Sequence, residues 1–321
     1  MLVTFAGSPD RVEATLVPAR GYAFDSFAVS GLPRRPGLAL VRAVARAFAA
    51  PAACLRILRK RRPDVVLGAG GYVAGPMVLA ARLRRIPCAL TEADAHLGLA
   101  NRLAAPLADR VFLALPVGRD GEKYRLVGRP IPATSQPRPR AEARAALGVA
   151  PDAQVVLVFG GSLGARLLND LALDAWAESG PTVIHLCGER NYPELKERVT
   201  RADYILRPFI EEIGLAYGAA DVVLARAGGS VWELAAAGLP AVLVPGEFAT
   251  GAHQEKNARW FVDAGGAVVV SEAEAGTAPR VVEELLADAA RLEAMAAAMR
   301  AAAKPDAAEE IADELVGLAR R

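Results

Sequence analysis

The residues from Arg226 to Asn257 combine a glycine turn, a carboxylate and neutral polar side chains within one short stretch. The apolar run DVVLA reads as a buried strand before Arg226, and SVWELAAAG reads as a helix after Gly228 and Gly229. The turn between them exposes backbone N–H groups at the positive end of a helix, which favours a phosphate. Glu233, on the first turn of that helix, is suited to accept hydrogen bonds from ribose hydroxyls.

Three neutral polar residues follow a further apolar run, PAVLVPG. His253, Gln254 and Asn257 can form hydrogen bonds without adding charge, which suits the binding of a sugar ring. A phosphate site, a ribose acceptor and a sugar site within one stretch indicate a nucleotide sugar as the ligand.

A second glycine turn supports this interpretation. The segment AQVVLVFGGSLGARLLND reads as strand, turn and helix, with Gly161, Ser162 and Gly164 in the turn. Alone, such a turn is a weak motif. Together with RAGG at the end of another strand, it predicts two helix N-termini that converge on one pyrophosphate. Asn169 is expected to cap or tie the second helix.

The spacing of these residues resembles the donor-site signature of the MurG family, glycosyltransferases that add N-acetylglucosamine to lipid I at the inner face of the bacterial membrane. The segments GGYVAGP at 70–76 and GGSLGA at 160–165 resemble the same family. The resemblance implies an α/β chain of two Rossmann-like doubly wound domains facing a cleft, the GT-B type. It also implies inverting transfer from UDP-N-acetylglucosamine to the 4-hydroxyl of lipid I, which forms lipid II for peptidoglycan synthesis. The donor-binding residues that it implies are Ser162, Gly161, Gly164, Phe209, Ile210, Arg226, Gly228, Gly229, Ser230, Val231, Glu233, His253, Gln254 and Asn257.

The expected partners are UDP-N-acetylglucosamine as the donor substrate, lipid I as the acceptor, and an anionic membrane surface. No cofactor and no metal are expected, because backbone amides and helix ends can offset the charge of the leaving diphosphate.

The resemblance assigns the acceptor to the first half of the chain. Gly71 and Tyr72 match the family segment GGYVSGP and are expected to face the acceptor. The segment CALTEADAHLGLAN corresponds to the family stretch HEQNxxxGLxN, with Asp94 in place of the Asn. An aspartate can take up a proton, so Asp94 is a candidate general base as well as an acceptor-binding residue. Glu92 and His96 are further catalytic candidates, with a structural role as the alternative for Glu92.

The chain departs from the family pattern in two further places. In the family stretch VxGNPVR, Arg129 takes the Asn position and Pro132 the Arg position, so Arg129 is expected to bind the acceptor. The family's first glycine loop, GGTGGH, has no match, so the first domain is expected to be truncated at its start and to leave neighbouring strands unpaired. The alternatives are therefore another UDP-sugar transferase, a UDP-sugar epimerase, or a UDP-sugar-binding protein without catalysis.

Two domains are needed to position these residues. The first is expected over 1–131, followed by a proline-rich linker over 132–140 and a donor domain over 141–305. Alanine-rich helices are predicted from Pro279 to the end of the chain, interrupted at Pro305. The last helix, 306–321, is expected to pack on the first domain.

The charge is distributed unevenly along the chain. Residues 1–131 contain 20 Lys and Arg against 9 Asp and Glu, a net charge of +11, and the remainder contains 18 against 27. This asymmetry indicates an anionic partner for the first half, and the scarcity of aromatic residues favours a membrane surface over nucleic acid. A peripheral position at the cytoplasmic face of the bacterial plasma membrane follows as an expectation.

An amphipathic run in the first half fits either core packing or an interfacial patch on anionic lipid. Its apolar and basic residues are Leu38, Val41, Ala45 and Phe48, beside Arg34, Arg35, Arg42 and Arg46.

Several residues are expected to serve packing alone. Cys54, Cys88 and Cys187 lie in apolar runs and are predicted to be buried free thiols. His185, flanked by Ile and Leu, is predicted to be a satisfied core residue. Phe209 is expected to lie against uracil or to join the core.

Overall fold

The computed structural model describes residues 2–29, 37–161, 164–246 and 253–320, without the side chains at 38–45, 47, 48 and 253. The chain divides into two compact units, the first formed by Met1–Val127 with Ala308–Arg321 and the second by Gly128–Ala307. The strands within the described residues are β1 (Thr4–Gly7), β2 (Ala23–Ser26), β3 (Val66–Gly68), β4 (Cys88–Glu92), β5 (Arg110–Leu113), β6 (Tyr124–Leu126), β7 (Val155–Phe159), β8 (Thr182–Leu186), β9 (Tyr204–Arg207), β10 (Val222–Ala225), β11 (Ala241–Leu243) and β12 (Ala267–Val269).

The helices alternate with the strands along most of the chain. They are α1 (Glu13–Ala19), α2 (Leu38–Arg61), α3 (Gly71–Leu83), α4 (Leu99–Ala104), α5 (Arg140–Leu147), α6 (Arg166–Trp176), α7 (Tyr192–Leu195), α8 (Ile213–Ala219), α9 (Val231–Ala237), α10 (His253–Asp263), α11 (Ala278–Leu286), α12 (Ala289–Ala302) and α13 (Ala307–Ala319). Short 3₁₀ helices lie at Ala105–Leu107, Ala133–Ser135, Lys196–Arg198 and Glu272–Thr277. None of the helices that the structure describes is long and apolar enough to cross a membrane.

The second unit is built on a six-stranded parallel sheet with the order β12-β11-β10-β7-β8-β9. All five residues of β7, VVLVF, are buried. Uninterrupted apolar strands of this kind are typical of a parallel sheet that is covered by helices on both faces. The sequence order of the strands reverses between β7 and β10, and in such sheets ligands bind in the crevice at the carboxyl ends of the strands.

A buried ion pair fixes the start of β7. Arg144 on α5 is 2% exposed, and its Nη2 lies 3.1 Å from the Asp221 carboxylate, which also accepts a hydrogen bond from the Val155 N–H at 2.8 Å. Arg144 also donates to three backbone carbonyl oxygens, so its buried guanidinium forms four hydrogen bonds in all.

The sheet of the first unit is divided into two parts. Strands β1 and β2 form a parallel pair, and β3, β4, β5 and β6 form a separate four-stranded parallel sheet in that order. A small cavity is lined by residues of β1 and β3, among them Phe5 and Leu67, which are 40% and 39% exposed. Within the described residues, the facing edges of β1 and β3 are unpaired.

Helix α13 packs on the first unit. Ile311 and Leu318 join a cluster with Phe112 and Val127, and Glu314 lies 3.4 Å from Nε of Arg110. One prediction for the helices before it was incomplete. The stretch from Pro279 to Pro305 also breaks before Ala289, where the Asp288 side chain accepts a hydrogen bond from the Arg291 N–H and caps a new helix.

The predicted amphipathic run forms α2, whose second half packs into the core through Cys54 and Leu58. Arg46 is exposed, whereas Arg34 and Arg35 and the side chains of Leu38, Val41, Arg42, Ala45 and Phe48 lie outside the described residues. All three cysteines are buried and free, as predicted. Burial raises the pKa of the Cys187 thiol to about 11, which keeps it protonated and unreactive.

Candidate functional site

The two glycine turns of the second unit leave the sheet side by side. Strands β7 and β10 are parallel neighbours, and Phe159 at the end of β7 pairs with Ala225 at the end of β10. Gly160 and Gly161 follow the first strand, and the turn from Arg226 to Ser230 follows the second. Both turns therefore lie at the carboxyl edge of the sheet, at adjacent positions.

The first turn depends on glycine at two positions, Gly160, where a Cβ would overlap the Cβ and backbone of Ala165, and Gly164. Gly164 has a φ of +74°, and a Cβ there would lie 2.1 Å from the carbonyl oxygen of Cys187. Gly161 also has a positive φ, +91°, but faces open space. Because glycine has no side chain, the turn can pass close to the end of β8 at Gly164. Ser162 lies outside the described residues.

The second turn lies against an arginine from the segment that opens the second unit. A Cβ built on Gly229 would lie 2.2 Å from Nη1 of Arg129, so the guanidinium is packed on the glycine backbone. Arg129 makes no hydrogen bond or ion pair with any residue that the structure describes. Its charge is thus available at the turn between β10 and α9.

Among the described residues, Glu233 is held from one side only. The hydroxyl of Tyr217 on α8 donates a hydrogen bond to Oε2 of Glu233 at 2.9 Å. Tyr217 is 2% exposed, and burial, together with the adjacent carboxylate, raises the pKa of its hydroxyl. Glu233 itself is half-buried. No residue that the structure describes forms a hydrogen bond with its Oε1, which can therefore accept one from a ligand hydroxyl. Tyr217 is a partner that the sequence did not indicate.

Arg226 and Gln254 meet at the end of β11. Nη1 of Arg226 donates to the Val244 carbonyl oxygen at 3.0 Å, and Nη2 donates to Glu272 at 2.6 Å. Oε1 of Gln254 accepts the Gly246 N–H at 2.8 Å. Arg226, predicted to bind the donor, therefore ties the strand end to the 3₁₀ helix at Glu272. The Gln254 amide group is fixed through Oε1, and its Nε2 donates to no residue that the structure describes.

The remaining predicted donor residues differ in exposure. Phe209 follows β9 and is 54% exposed, which excludes the core alternative for its ring, and Ile210 beside it is half-buried. Asn257 is 5% exposed on α10. The side chain of His253, at the start of α10, lies outside the described residues. Ser230 and Val231 open α9, with Val231 buried.

Asn169 and His185 form a buried chain of hydrogen bonds. Nδ2 of Asn169 donates to the Cys187 carbonyl oxygen at 3.0 Å, and Oδ1 pairs with Nε2 of His185. Nδ1 of His185 pairs with the Tyr204 hydroxyl at 2.9 Å. Burial lowers the pKa of His185 to about 3, so the ring is neutral. The prediction of a core histidine and a helix-tying asparagine is confirmed.

The predicted acceptor residues of the first unit line one cavity of about 330 Å³, called here the first-unit pocket. It lies at the carboxyl ends of β3 and β4, where the loops before α3 and α4 meet. Gly71, Tyr72, Glu92 and Asp94 all line it, whereas His96, half-buried on the same loop, does not. Its lining comprises Ala69, Gly70, Gly71, Tyr72, Thr91, Glu92, Ala93, Asp94, Gly98, Leu99, Ala100 and Asn101.

Tyr72 is positioned by a residue that the sequence analysis did not single out. Nε of Arg11 donates to the Tyr72 hydroxyl at 2.8 Å, and the guanidinium carbon lies 5.8 Å from the ring centroid. The contact combines a hydrogen bond with a cation–π interaction. It joins the start of α1 to the start of α3 across 61 residues of sequence. No group of three or more His, Cys, Asp or Glu side chains within the described ranges is arranged to hold a metal ion.

Each of the two units matches a domain of a known protein family. The glycosyltransferase family 28 N-terminal domain matches residues 2–113, and the C-terminal domain of the same family matches residues 155–311. A protein of Nocardioides sp. named "UDP-N-acetylglucosamine--N-acetylmuramyl-(pentapeptide) pyrophosphoryl-undecaprenol N-acetylglucosamine transferase" is 42% identical over 97% of this chain and 88% of its own length. The protein of the same name from Halothermothrix orenii is 36% identical over 94% of this chain and 87% of its own length.

Solved structures give the same result. The crystal structure of Acinetobacter baumannii MurG superimposes with a TM-score of 0.79 at 28% identity, over 98% of this chain and 91% of that one. The UDP-GlcNAc 2-epimerase of Neisseria meningitidis, at 14% identity and a TM-score of 0.61 over 98% of this chain and 99% of that one, shares the fold alone. A chain that matches both domains and shares this much identity with its relatives along nearly its whole length belongs to the MurG family, within glycosyltransferase family 28.

Proposed function

We propose that this chain transfers N-acetylglucosamine from UDP-N-acetylglucosamine to the 4-hydroxyl of the muramyl sugar of lipid I, forming lipid II for peptidoglycan synthesis. The hydroxyl oxygen bonds to the anomeric carbon with inversion as the bond from that carbon to the UDP oxygen breaks. UDP leaves with the bonding electron pair, and the hydroxyl proton passes to a base. The relatives named above are transferases, and they do not favour the epimerase or the binding-only alternative.

The observation that carries this proposal is the adjacency of the two glycine turns after β7 and β10. Because both turns leave the sheet at the same edge, a single diphosphate can reach both. The guanidinium of Arg129, packed on Gly229, supports a role toward that diphosphate, where the sequence analysis expected contact with the acceptor. Fixed N–H donors and a fixed cation offset the charge on the leaving UDP without reorganising.

Glu233 and Gln254 bind the two sugars in this proposal. Oε1 of Glu233 accepts hydrogen bonds from the ribose hydroxyls while Tyr217 holds Oε2. Nε2 of Gln254 donates to the N-acetylglucosamine ring while the Gly246 N–H holds Oε1. The exposed ring of Phe209 offers a face for uracil.

The first-unit pocket binds the sugar of lipid I in this proposal, with Tyr72 and Gly71 in its wall and Asp94 as the base. An aspartate that receives the proton of the attacking hydroxyl assists the transfer as that bond forms.

The test pairs calorimetry with turnover. The protein should bind UDP-N-acetylglucosamine and convert lipid I to lipid II. Glu233→Ala should weaken donor binding by about 10²-fold, because two hydrogen bonds from ribose to a carboxylate are lost. Glu255→Ala, which removes an exposed carboxylate on α10, is the matched control. Absence of donor binding by the unaltered protein would refute the proposal.

A peripheral position on an anionic membrane forms part of the proposal. Leu79 and Leu83 on α3 and Leu99 and Leu103 on α4 are 37%, 64%, 56% and 69% exposed. The two helices pack together, and exposed arginines lie beside the leucines at Arg82, Arg84, Arg85 and Arg102. Apolar side chains beside a basic rim suit a surface of anionic lipid.

Sedimentation with vesicles that contain anionic lipid tests this surface. The double substitution Leu83→Glu with Leu103→Glu should abolish sedimentation. Val12→Glu, at an equally exposed apolar residue of the same unit, should leave it intact. Equal sedimentation of the double variant and the unaltered protein would count against the surface.

A further inference from the structure

The Glu92 carboxylate lies at the base of the loop that runs from Ala93 to Gly98. Its Oε1 accepts the backbone N–H groups of Ala93 at 3.0 Å and Asp94 at 3.3 Å. Its Oε2 accepts the N–H of Gly98 at 2.9 Å and Nδ2 of Asn101 at 2.8 Å. Glu92 is 7% exposed and forms no ion pair with Lys or Arg in the part of the chain that the structure describes. One carboxylate thus ties both ends of the loop.

Asn101 is held in one orientation by the same arrangement. Its Nδ2 donates to Glu92 and also to the Thr91 carbonyl oxygen at 2.9 Å, so the amide cannot be reversed without losing both bonds. Its Oδ1 is buried and has no hydrogen-bond partner among the described residues. An unsatisfied buried oxygen is a cost to folding, and this one belongs to a residue that lines the first-unit pocket.

We propose that Glu92 is a positioning residue of the first-unit pocket, which holds the 93–98 loop, and with it Asp94, in the form that receives the acceptor sugar. The inference rests on the proposed function. It assigns to Glu92 a role as a fixed anionic acceptor of four N–H groups, and it removes Glu92 from the candidates for proton transfer.

The four hydrogen bonds to Glu92 distinguish a positioning role from a role in proton transfer. Each oxygen of Glu92 already receives two N–H donors, so a proton placed on either oxygen would face N–H groups and displace hydrogen bonds. A base must be able to take up a proton during the reaction. A positioning carboxylate must remain charged throughout.

The substitution Glu92→Gln tests the assignment. In either orientation, the new NH₂ group faces two N–H donors, so two of the four bonds are lost. We expect kcat/KM for lipid I to fall by about 10²-fold, since a displaced loop misplaces the reacting groups. Binding of UDP-N-acetylglucosamine, measured by calorimetry, should keep its affinity and report that the second unit is folded.

The pH dependence of the residual activity distinguishes positioning from proton transfer. Glu92→Gln should lower the rate at every pH and leave both limbs of the profile where they are in the unaltered protein. Asp94→Asn is the comparison variant, and it should remove the limb of the pH–rate profile that reports the general base. If Glu92→Gln removed a limb, or left kcat/KM unchanged, the assignment would be wrong.

A matched pair at Gly98 tests the contact between the Gly98 N–H and the Glu92 carboxylate. Gly98 has a φ of −57°, which both alanine and proline can adopt, and a Cβ there would lie 3.7 Å from Oε2 of Glu92, an ordinary contact. Gly98→Ala keeps the N–H and reports the effect of the methyl group, whereas Gly98→Pro replaces the N–H by a ring carbon that displaces Oε2 of Glu92 from the loop. We expect kcat/KM of the proline variant to be about tenfold below that of the alanine variant.

Hydrogen exchange tests the inference without turnover, so its failure is distinguishable from failure of the proposed function. The amides of Ala93, Asp94 and Gly98 should exchange about tenfold faster in Glu92→Gln than in the unaltered protein. Unchanged exchange would overturn the inference even if lipid II is formed. A protein with no transferase activity but faster loop exchange in the variant would retain the positioning role and lose the proposed reaction.

Discussion

Tyr217→Phe tests how the donor site is organised. The substitution removes only the hydroxyl that donates to Oε2 of Glu233 and keeps the buried ring, whose centroid lies 6.3 Å from that of Phe159. Because Glu233 is half-buried, water can replace the lost donor, and unfolding free energy should fall by only about 1 kcal/mol.

The effect on donor binding should exceed what this loss of stability suggests. Glu233 regains side-chain freedom, and ordering it again on binding costs about 0.5–1.5 kcal/mol, which raises KM for UDP-N-acetylglucosamine by about 2- to 12-fold. KM for lipid I should not change. Steady-state kinetics with each substrate varied in turn would measure both quantities.

A double-mutant cycle tests whether Tyr217 acts through Glu233. If it does, Tyr217→Phe combined with Glu233→Ala should bind the donor no more weakly than Glu233→Ala alone. Additive losses would mean that Tyr217 acts by another route. A Tyr217→Phe variant with the donor KM of the unaltered protein would refute the reasoning.

Three further outcomes are expected. Gly164→Ala should lower both thermal stability and donor affinity, because its Cβ meets the Cys187 carbonyl oxygen at 2.1 Å, whereas Gly161→Ala, in open space, should cost less in a thermal melt. His185 has its pKa lowered from 6.5 to about 3 by burial, so its contribution to stability is present above pH 6.5 and is lost as pH falls below it. Urea unfolding should show a loss of about 2 kcal/mol between pH 7 and pH 5 that is absent from His185→Gln. Arg144→Ala should cost about 3–5 kcal/mol in unfolding free energy, because it leaves Asp221 without its buried partner. Arg140→Ala, at the exposed partner of Asp221, should cost about 0–1 kcal/mol, and equal losses for the two variants would contradict this explanation.

The locations of the glycine turns could be predicted because their causes are local. Apolar runs such as VVLVF and VVLA form strands where they stand, and glycines after them suit tight turns, with Gly164 at a positive φ where no Cβ fits. The family resemblance extended this reading to two doubly wound domains, and the family match confirms it. The buried cysteines and His185 were predictable for a similar reason, since their neighbours in sequence are apolar.

The partners of the site residues could not be predicted in the same way. Glu233 is held by Tyr217 from another helix, and Arg226 is held by Glu272, which is 46 residues away. The family motif predicts that Arg129 binds the acceptor, and only the structure shows that its guanidinium lies against Gly229, 100 residues later in the chain. Contacts at such separations depend on which strands pair, and a single sequence leaves no local sign of them.

The sequence by itself determined which residues could do chemistry: the two glycine turns, the carboxylate of Glu233, and the loop that carries Glu92 and Asp94. These follow from backbone freedom, hydrophobic pattern and side-chain chemistry, which act over a few residues. The tertiary structure alone decided that β7 and β10 are neighbours, that both oxygens of Glu92 accept hydrogen bonds from four N–H groups, and that Tyr217 binds one oxygen of Glu233. Each of these depends on the packing of distant segments, which settles whether a polar group is already satisfied or remains available to a ligand.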